Sequence, residues 1–398
     1  MKRVIEWSAR NRFLVLLMAV FAAAAGVIAM RRTPLEAIPD LSDVQVIVQT
    51  DYQGQAPQLV EDQVTYPIAS EMLKVPGAQT VRGFSFFGVS FVYVIFEDGT
   101  DIYWARSRVL EYLSGLQGRL PDGAEVALGP DATGLGWVYQ YVLEDTTGTH
   151  SLADLRSIQD WYLRYQLTAV PGVSEVASVG GFERMYEVTL DPERMRGFGI
   201  AVHQVMDAVR GANEDVGAMV LEMADREYMI RGLGYIRDMG DLESVVLGAT
   251  PEGVPVRVGD VATVQLASAS RRGVTDLDGR GDVVGGIVVM RFGENALATI
   301  ERVKEKIGEI EAGLPPGVVL RSVYDRSELI IRAIDTLKGK LLEESVVVAL
   351  VCLVFLFHVR SALVAILTLP LGILMAFVAM HALGINADIM SLGGIAIA

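Results

Sequence analysis

The sequence is poor in the residues from which cysteine and histidine sites are built. It contains 1 cysteine and 4 histidines among 398 residues, which excludes a disulfide framework and a zinc site made of cysteines. The cysteine, Cys352, lies in an apolar run, where a free cysteine behaves as a small hydrophobic side chain. A phosphate-binding loop is absent too, because Lys340 is followed by Leu341 rather than by serine or threonine. We therefore exclude ATP hydrolysis as the energy source of this chain.

Positive charge is scarce and unevenly placed. The chain has 34 basic and 49 acidic residues, a net charge of -15, and 51% of its residues are hydrophobic. The acidic excess lies in residues 33–340, and the two ends of the chain are apolar. An acidic protein repels phosphate, so we exclude a nucleic-acid partner. A mean hydropathy of +0.37 also excludes a disordered tail and an ordinary soluble domain.

A first membrane segment is predicted near the N-terminus. Residues 13–30 form an apolar run flanked by arginines on both sides. Eighteen residues reach the lower end of the length that crosses a bilayer, about 17 to 25 residues. A cleaved signal peptide is the alternative, since the small residues at 22–25 offer a cleavage site. The membrane anchor is favoured because the apolar part of a signal peptide usually has about 7 to 15 residues.

The C-terminal end contains further membrane segments. Residues 345–357 and 362–383 are apolar and are separated by a short hairpin at 358–361. Another apolar run starts at Ile389 and stops at Ala398, where a span needs about 20 residues. We therefore expect the chain to end inside a fourth span. Basic residues near the N-terminus and in the hairpin place both in the cytoplasm, and residues 33–340 outside it.

The external segment contains an internal repeat. Val-Pro-Gly at 75–77 recurs at 170–172, each time after an amphipathic helical stretch, and Leu-Pro at 120–121 recurs at 314–315 after a second one. This spacing predicts two β-α-β-β-α-β units, the ferredoxin-like or split-βαβ arrangement. The second unit carries an insertion between residues 182 and 281, which we expect to form a protruding subdomain. Chance recurrence of two turn signals is the alternative.

Short motifs along the whole chain carry a resemblance to a known family. They include Ala-Ile-Pro-Asp-Leu-Ser-Asp-Val-Gln-Val at 37–46 and Gly-Pro-Asp-Ala-Thr-Gly at 129–134. Further matches lie at residues 98–101, 103–106, 159–161, 324–327 and 390–394. With them the sequence resembles the resistance-nodulation-division (RND) transporters, and among these the heavy-metal efflux branch. Residues 339–363 resemble the copper/silver exporters more than the zinc/cobalt/cadmium exporters.

The resemblance implies a fold and a division of the chain. The fold class is a membrane protein of α+β type, with transmembrane helices, two ferredoxin-like porter subdomains and an inserted docking subdomain. The expected parts are transmembrane helix 1 in 1–32, porter subdomain 1 in 33–130, porter subdomain 2 in 131–182 and 281–330, the docking subdomain in 183–280, and transmembrane helices 2, 3 and a truncated 4 in 331–398.

The resemblance also implies an activity and partners. It points to a secondary transporter of the bacterial inner membrane that is not an enzyme, exchanges protons for heavy-metal cations and prefers Cu(I) or Ag(I). No cofactor is expected besides the transported ion. The expected partners are membrane lipid, two further copies in a homotrimer, a periplasmic adaptor and an outer-membrane channel. The proton relay of this family lies in the fourth membrane helix beyond residue 398, so no relay or catalytic residue is assigned.

Met390 is the one residue predicted to bind metal. Its thioether could join a methionine path, because soft sulfur ligands select Cu(I) and Ag(I) over harder ions. Ordinary packing is the alternative for a lone methionine. Met219 and Met223, four residues apart, could share one helix face, and we expect them to fill a core. Asp388 is either an entry group or, more simply, a loop residue or helix cap.

Other functions remain open from the sequence. A divalent-cation exporter and a hydrophobic-drug exporter share the predicted fold, and a fold alone does not fix a substrate. A drug pocket would be rich in aromatic residues, but an aromatic content of 8% does not decide. A membrane-anchored periplasmic binding or sensing protein is the alternative from another class. The quoted motifs favour metal export.

Overall fold

The N-terminus forms two consecutive helices. In this computed structural model, residues 2–394 are described except 34, 35, 37, 117, 224, 233, 272, 357, 358, 389 and 392. Helix α1 comprises Lys2–Arg10 and helix α2 comprises Arg12–Arg32. Asn11 between them has a φ of -108° and a ψ of 48°, which interrupts the helical geometry. Helix α2 contains the predicted membrane segment and is long and apolar enough to cross a membrane.

The first four-stranded sheet follows α2. Its elements are β1 (Gln45–Asp51), α3 (Pro57–Val60), a π-helical turn (Glu61–Thr65), α4 (Tyr66–Met72), β2 (Ala78–Phe86), β3 (Val89–Phe96), α5 (Ile102–Ser114) and β4 (Glu125–Leu128). The strand order is β2-β3-β1-β4, and β1 pairs antiparallel with both neighbours. Val46 and Val48 on β1 are buried, since alternate residues of a strand face the same side. Against them pack Val64, Ile68 and Val109 from the helices.

The second four-stranded sheet starts with β5 and is completed late in the chain. Its first elements are β5 (Trp137–Asp145), α6 (Leu152–Ile158), a second π-helical turn (Gln159–Leu163), α7 (Arg164–Thr168) and β6 (Val173–Gly180).

The residues between β6 and the next strand of this sheet form smaller sheets. They comprise β7 (Arg184–Leu190), α8 (Pro192–Phe198), α9 (Val202–Ala212), β8 (Val216–Met223), β9 (Arg226–Gly232), α10 (Met239–Glu243), β10 (Val246–Ala249), β11 (Pro255–Arg257), α11 (Val258–Val261) and β12 (Ala262–Ser268). The pairs are β12-β7, β8-β9 and β10-β11. Two compact units result, one formed by His150–Ile158 and Gly180–Val283, the other by the rest of the chain. A hydrophobic core of Val205, Leu242, Val258 and Val261 lies in the smaller unit.

The second sheet is completed by β13 (Val284–Met290), α12 (Ala296–Glu311) and β14 (Val318–Asp325). Its order is β14-β5-β13-β6. Counted from the first strand of each set, both sheets therefore have the order 2-3-1-4. Both also start their second helix with a side-chain cap, since Asp101 accepts a hydrogen bond from the Trp104 amide and Asn295 from the Ala298 amide.

Two long helices end the described chain. Helix α13 (Arg326–Leu356) follows β14 without a break, and α14 (Val359–Leu383) contains a second stretch, Ile366–Leu383, that is long and apolar enough to cross a membrane. Residues 359–361 of the hairpin predicted at 358–361 belong to α14, and His358 lies outside the described residues. The predicted fourth span lies largely outside the described residues.

Candidate functional site

Met390 lies in an exposed position beside a helix cap. Its side chain is 74% exposed, and residues 390 and 391 are helical. The preceding Asp388 caps this turn, because its Oδ1 accepts a hydrogen bond of 2.7 Å from the Ser391 amide while the Asp388 amide donates to Ser391 Oγ at 2.8 Å. Asp388 is therefore a helix cap, which is the simpler of the two roles predicted for it. The metal-binding role of Met390 stays a prediction, and within the described residues no group of three or more His, Cys, Asp or Glu side chains could hold a metal ion.

The helix proposed for Met219 and Met223 is wrong. Both residues lie on strand β8, which pairs with β9 across a tight turn. Asp225 in that turn has a φ of 59°, a left-handed conformation that aspartate adopts more readily than most residues. Met223 is 58% exposed, so core filling is also wrong for it. The left-handed Asp225 between the two strands favours a hairpin over a continuous helix.

A buried carboxylate joins the two four-stranded sheets. Asp131 is 8% exposed and lies between helix α5 of the first sheet and the strands of the second. Its carboxylate accepts hydrogen bonds from Tyr103 Oη at 3.1 Å, from Arg291 Nη1 at 3.0 Å and from the Ser174 hydroxyl. Arg291 in turn donates from Nε to the Val173 carbonyl at 3.1 Å. One carboxylate thus holds groups from α5, β6 and the end of β13.

These contacts set the charge state of Asp131. Burial alone would raise its pKa, but the hydrogen bonds from Ser174 and Tyr103 and the positive charge of Arg291 outweigh burial and lower the pKa below the ordinary value of 3.8. The same arrangement raises the pKa of Tyr103, through burial and the neighbouring carboxylate. Asp131 is therefore ionised, and Tyr103 protonated, at any physiological pH.

A second set of charged groups lies where α2 and α14 end. The Glu36 amide donates to the Ala387 carbonyl at 2.9 Å, and Asn386 Nδ2 donates to Glu36 Oε1 at 3.2 Å. Arg326, the first residue of α13, is 4% exposed and donates from Nη1 to the Leu135 carbonyl at 2.5 Å. The loop after α2, the start of α13 and the segment after α14 therefore meet at one place.

Glu36 is the carboxylate most affected by this environment. Burial raises its pKa above the ordinary value of 4.5, the positive charge of Arg326 opposes that increase, and the negative charges of Asp40 and Asp388 add to it. Asp40 is held separately, since its Oδ2 accepts a hydrogen bond of 2.6 Å from the Thr133 hydroxyl. Burial and the neighbouring acids therefore favour the protonated form of Glu36.

The two sets of groups line one small cavity, which we name the polar junction and define by Glu36, Asp40, Asp131, Thr133, Arg291 and Arg326. All of these except Asp131 contribute directly to the cavity wall. Its volume is about 20 Å³, close to the space of a single water molecule. A cavity of this size does not admit an organic substrate. The junction combines the ion pair of Asp131 and Arg291 with the electrostatic attraction between Glu36 and Arg326.

The polar junction was not identified from the sequence. Asp131 and Asp40 lie in the motifs at 129–134 and 37–46. Membership in these motifs is the sequence feature that points to the two residues. The contact of Glu36 with Asn386 joins positions 350 residues apart, and no local pattern reports such a pairing.

The comparisons with known proteins agree with this architecture. The family model described as AcrB/AcrD/AcrF family matches residues 4–398. This chain belongs to that family. Over 399 residues it is 56% identical to the "Cation efflux system protein CusA" of Escherichia coli (strain K12), an alignment that covers 99% of this chain and 38% of that protein. It is 37% identical over 401 residues to the "Cobalt-zinc-cadmium resistance protein CzcA" of Cupriavidus metallidurans, with the same coverage of both.

A solved structure shows the same fold. The X-ray crystal structure of a heavy metal efflux pump, crystal form I, superimposes with a TM-score of 0.87 at 32% identity and covers 98% of this chain and 39% of that chain. This chain therefore has the fold of the RND family, with helices and sheets mixed as predicted. The chain spans less than half the length of the relatives it matches.

Proposed function

We propose that this chain forms the N-terminal part of a proton-driven exporter of heavy-metal cations. The observation that carries the proposal is similarity along the entire chain to metal-cation efflux proteins, at 56% identity to CusA. A membrane-anchored binding protein would not be expected to match these exporters from one end of the chain to the other, and the names of these relatives point to cations rather than drugs. The two sheets of order 2-3-1-4 support the finer proposal of two split-βαβ porter subdomains with an inserted docking subdomain.

We infer that the preferred ions are Cu(I) and Ag(I). The identity of 56% to CusA against 37% to CzcA favours the copper/silver branch that the sequence resembles. The exposed thioether of Met390 suits a soft monovalent ion better than zinc or cobalt, because such ions gain more from sulfur than from oxygen ligands. A site for hard cations would need several carboxylates close together whose negative charges are not already balanced by other protein groups. The carboxylates of the polar junction are instead compensated by arginine or hydroxyl groups.

The proposed topology places α2, the apolar C-terminal part of α13 and α14 across the inner membrane, with the N-terminus and the hairpin between α13 and α14 in the cytoplasm and the sheets in the periplasm. Arg10 before α2 and Arg12 at its first position support this orientation by the excess of positive charge expected on the cytoplasmic side. Protons that enter from the acidic periplasm would drive the exchange. The polar junction is where movement of the membrane helices would reach the second sheet.

A homotrimer is the proposed assembly, and the β8-β9 hairpin supports it. This two-stranded ribbon exposes Val220, Leu221, Tyr228 and Met229, the last at 89%. Directly opposite residues share a face, so Val220 and Met229 lie on one face and Leu221 and Tyr228 on the other. An isolated hairpin with two apolar faces is at best marginally stable in water. A second copy of the chain would cover it, while an adaptor and an outer-membrane channel complete the proposed complex.

The proposal is tested by growth of a strain that lacks the gene, on graded silver, copper, zinc, cobalt and a hydrophobic dye, with the gene restored as a control. We expect hypersensitivity to silver and copper only. Met390→Leu should fail to restore resistance, whereas Met229→Leu, the same change at an exposed methionine of the hairpin, should restore it. Sensitivity to zinc or cobalt would indicate the divalent branch. Sensitivity to the dye alone would overturn metal export.

A further inference from the structure

Helix α1 is a short amphipathic helix next to the first membrane span. Arg3, Glu6 and Arg10 recur at intervals of three and four residues and therefore share one face of the helix. Trp7, four residues after Arg3 and three before Arg10, lies beside this row of charges. Ile5 lies on the other side of the helix, and Trp7 and Ile5 are 48% and 65% exposed. The helix thus presents a charged row flanked by an exposed tryptophan, and both are open in the described chain.

Two observations place α1 at a membrane surface. Helix α2 begins two residues after α1 ends, and Asn11 between them donates from its amide and from Nδ2 to the Trp7 carbonyl at 2.9 and 3.0 Å. Arg12 Nε also donates to the Ala9 carbonyl at 3.1 Å. The turn that joins the helices is therefore built by specific hydrogen bonds. Because α2 is the proposed span, these bonds keep α1 within the headgroup region of the cytoplasmic leaflet.

The composition of α1 selects the kind of surface. Arg3 and Arg10 of α1 and Arg12 at the start of α2 are exposed and are opposed by a single acid, Glu6. A row of arginines complements the phosphates of anionic lipid, and exposed isoleucine and tryptophan suit the boundary between headgroups and acyl chains. A helix of 9 residues is too short to be stable alone in water, where about 12 to 15 residues are needed. A surface that binds one face would supply the missing stability.

We propose that α1 is an interfacial helix that binds the anionic lipid headgroups of the cytoplasmic leaflet through Arg3, Arg10 and Arg12, with the neighbouring Trp7 inserted at the boundary between headgroups and acyl chains. This inference rests on the proposed topology, in which α2 crosses the bilayer. It adds to that topology a lipid-dependent contact at the cytoplasmic end of the first membrane helix.

Hydrogen exchange of the full gene product in lipid nanodiscs tests the proposal. Nanodiscs of phosphatidylcholine alone are compared with nanodiscs that also contain phosphatidylglycerol, and deuterium uptake is followed in residues 2–11. We expect slower exchange of α1 in the anionic discs, by about fivefold for each arginine in contact with the surface. Added salt should reverse the difference, because the attraction is screened.

Matched variants separate the effect of the α1 charges on lipid binding from a general effect of removing two arginines. The double variant Arg3→Gln/Arg10→Gln should lose the lipid dependence, whereas Arg31→Gln/Arg32→Gln, which removes two exposed arginines at the opposite end of α2, should keep it. Trp7→Ser should speed the exchange of α1 in both lipids. Equal exchange of wild-type α1 in both lipids, or an equal loss in the two double variants, would overturn the proposal. Fast exchange of residues 13–30 in every disc would instead refute the topology of α2.

Discussion

The two four-stranded sheets share a strand order but insert different polar groups into their cores. In each sheet, the first helix contains a π-helical turn, a wider turn that often occurs at functional sites. In the first sheet the turn buries Thr65, whose hydroxyl contacts those of Ser85 and Ser90 at 2.8 and 2.7 Å. In the second it buries Gln159, which accepts a hydrogen bond of 2.8 Å from Tyr141. In both sheets the buried polar contact therefore lies at the π-helical turn, but the residues that form it differ.

The sheets also differ in what connects their second and third strands. Residues 87 and 88 alone link β2 and β3, while residues 181–283, the larger part of the smaller compact unit, lie between β6 and β13. A hairpin connection can be opened for an insertion without disturbing the strand order, because the strands on both sides keep their pairing partners. The comparison shows that the repeat tolerates large changes at its connections and small changes in its core.

The largest expected effect comes from glycines on the strands. A Cβ atom at Gly285 would lie 2.4 Å from the Tyr141 backbone oxygen, whereas at Gly83 it would lie 2.5 Å from the Thr65 Cγ2 methyl group. Backbone cannot move aside as readily as a methyl group, so Gly285→Ala should cost about 3 kcal/mol and Gly83→Ala about 1 kcal/mol. Thermal unfolding of the purified protein measures both. A larger loss of unfolding free energy for Gly83→Ala than for Gly285→Ala would contradict tighter packing around Gly285 than around Gly83.

The polar contacts of the two π-helical turns should differ in strength. Gln159→Ala leaves the Tyr141 hydroxyl buried without a partner and opens a cavity, which should cost about 2 to 3 kcal/mol. Thr65→Ala leaves Ser85 and Ser90 free to rearrange and should cost about 1 kcal/mol. Local hydrogen exchange of residues 137–145 and 89–96 separates the two effects. Equal loosening of both strands by either variant would contradict independent anchoring of the sheets.

Much of the fold followed from the sequence, and the exceptions have physical causes. The apolar run at 13–30 lies inside the observed helix Arg12–Arg32, and the Val-Pro-Gly repeats precede strands β2 and β6. The π-helical turns were not predicted, because one wider turn barely changes the periodicity of apolar residues. The polar junction was missed because its contacts join distant segments. The β8-β9 hairpin was missed because four-residue spacing fits one face of a strand as well as one face of a helix.

The contact between the sheets depends on pH through Asp131. Its native pKa is lowered, so its contribution to stability is present above the ordinary value of 3.8 and is lost as the pH falls through the lower native value. Asp131→Asn should destabilise the protein by about 1 to 2 kcal/mol at neutral pH and match the wild type in strong acid. The exposed Asp43→Asn is the control. Thermal unfolding across pH tests this, and a constant difference between Asp131→Asn and wild type would contradict it.

Glu36 should show the opposite and smallest dependence. Its native pKa is raised above 4.5, so the folded state holds the proton more tightly and stability falls as the pH rises from 4.5 through the native value. Glu36→Gln should therefore equal the wild type in acid and be slightly more stable at neutral pH. The same thermal series measures it. A clear loss of stability at neutral pH would mean that the attraction between Glu36 and the positive charge of Arg326 outweighs burial.

The central claim is export of soft metal cations, and transport by the reconstituted gene product tests it most directly. Proteoliposomes with an imposed proton gradient are loaded with silver or zinc, and movement of each ion is followed with and without the gradient. The account predicts gradient-dependent movement of silver that exceeds that of zinc and is reduced by Met390→Leu but not by Met229→Leu. Movement of a hydrophobic dye without movement of either metal would contradict it.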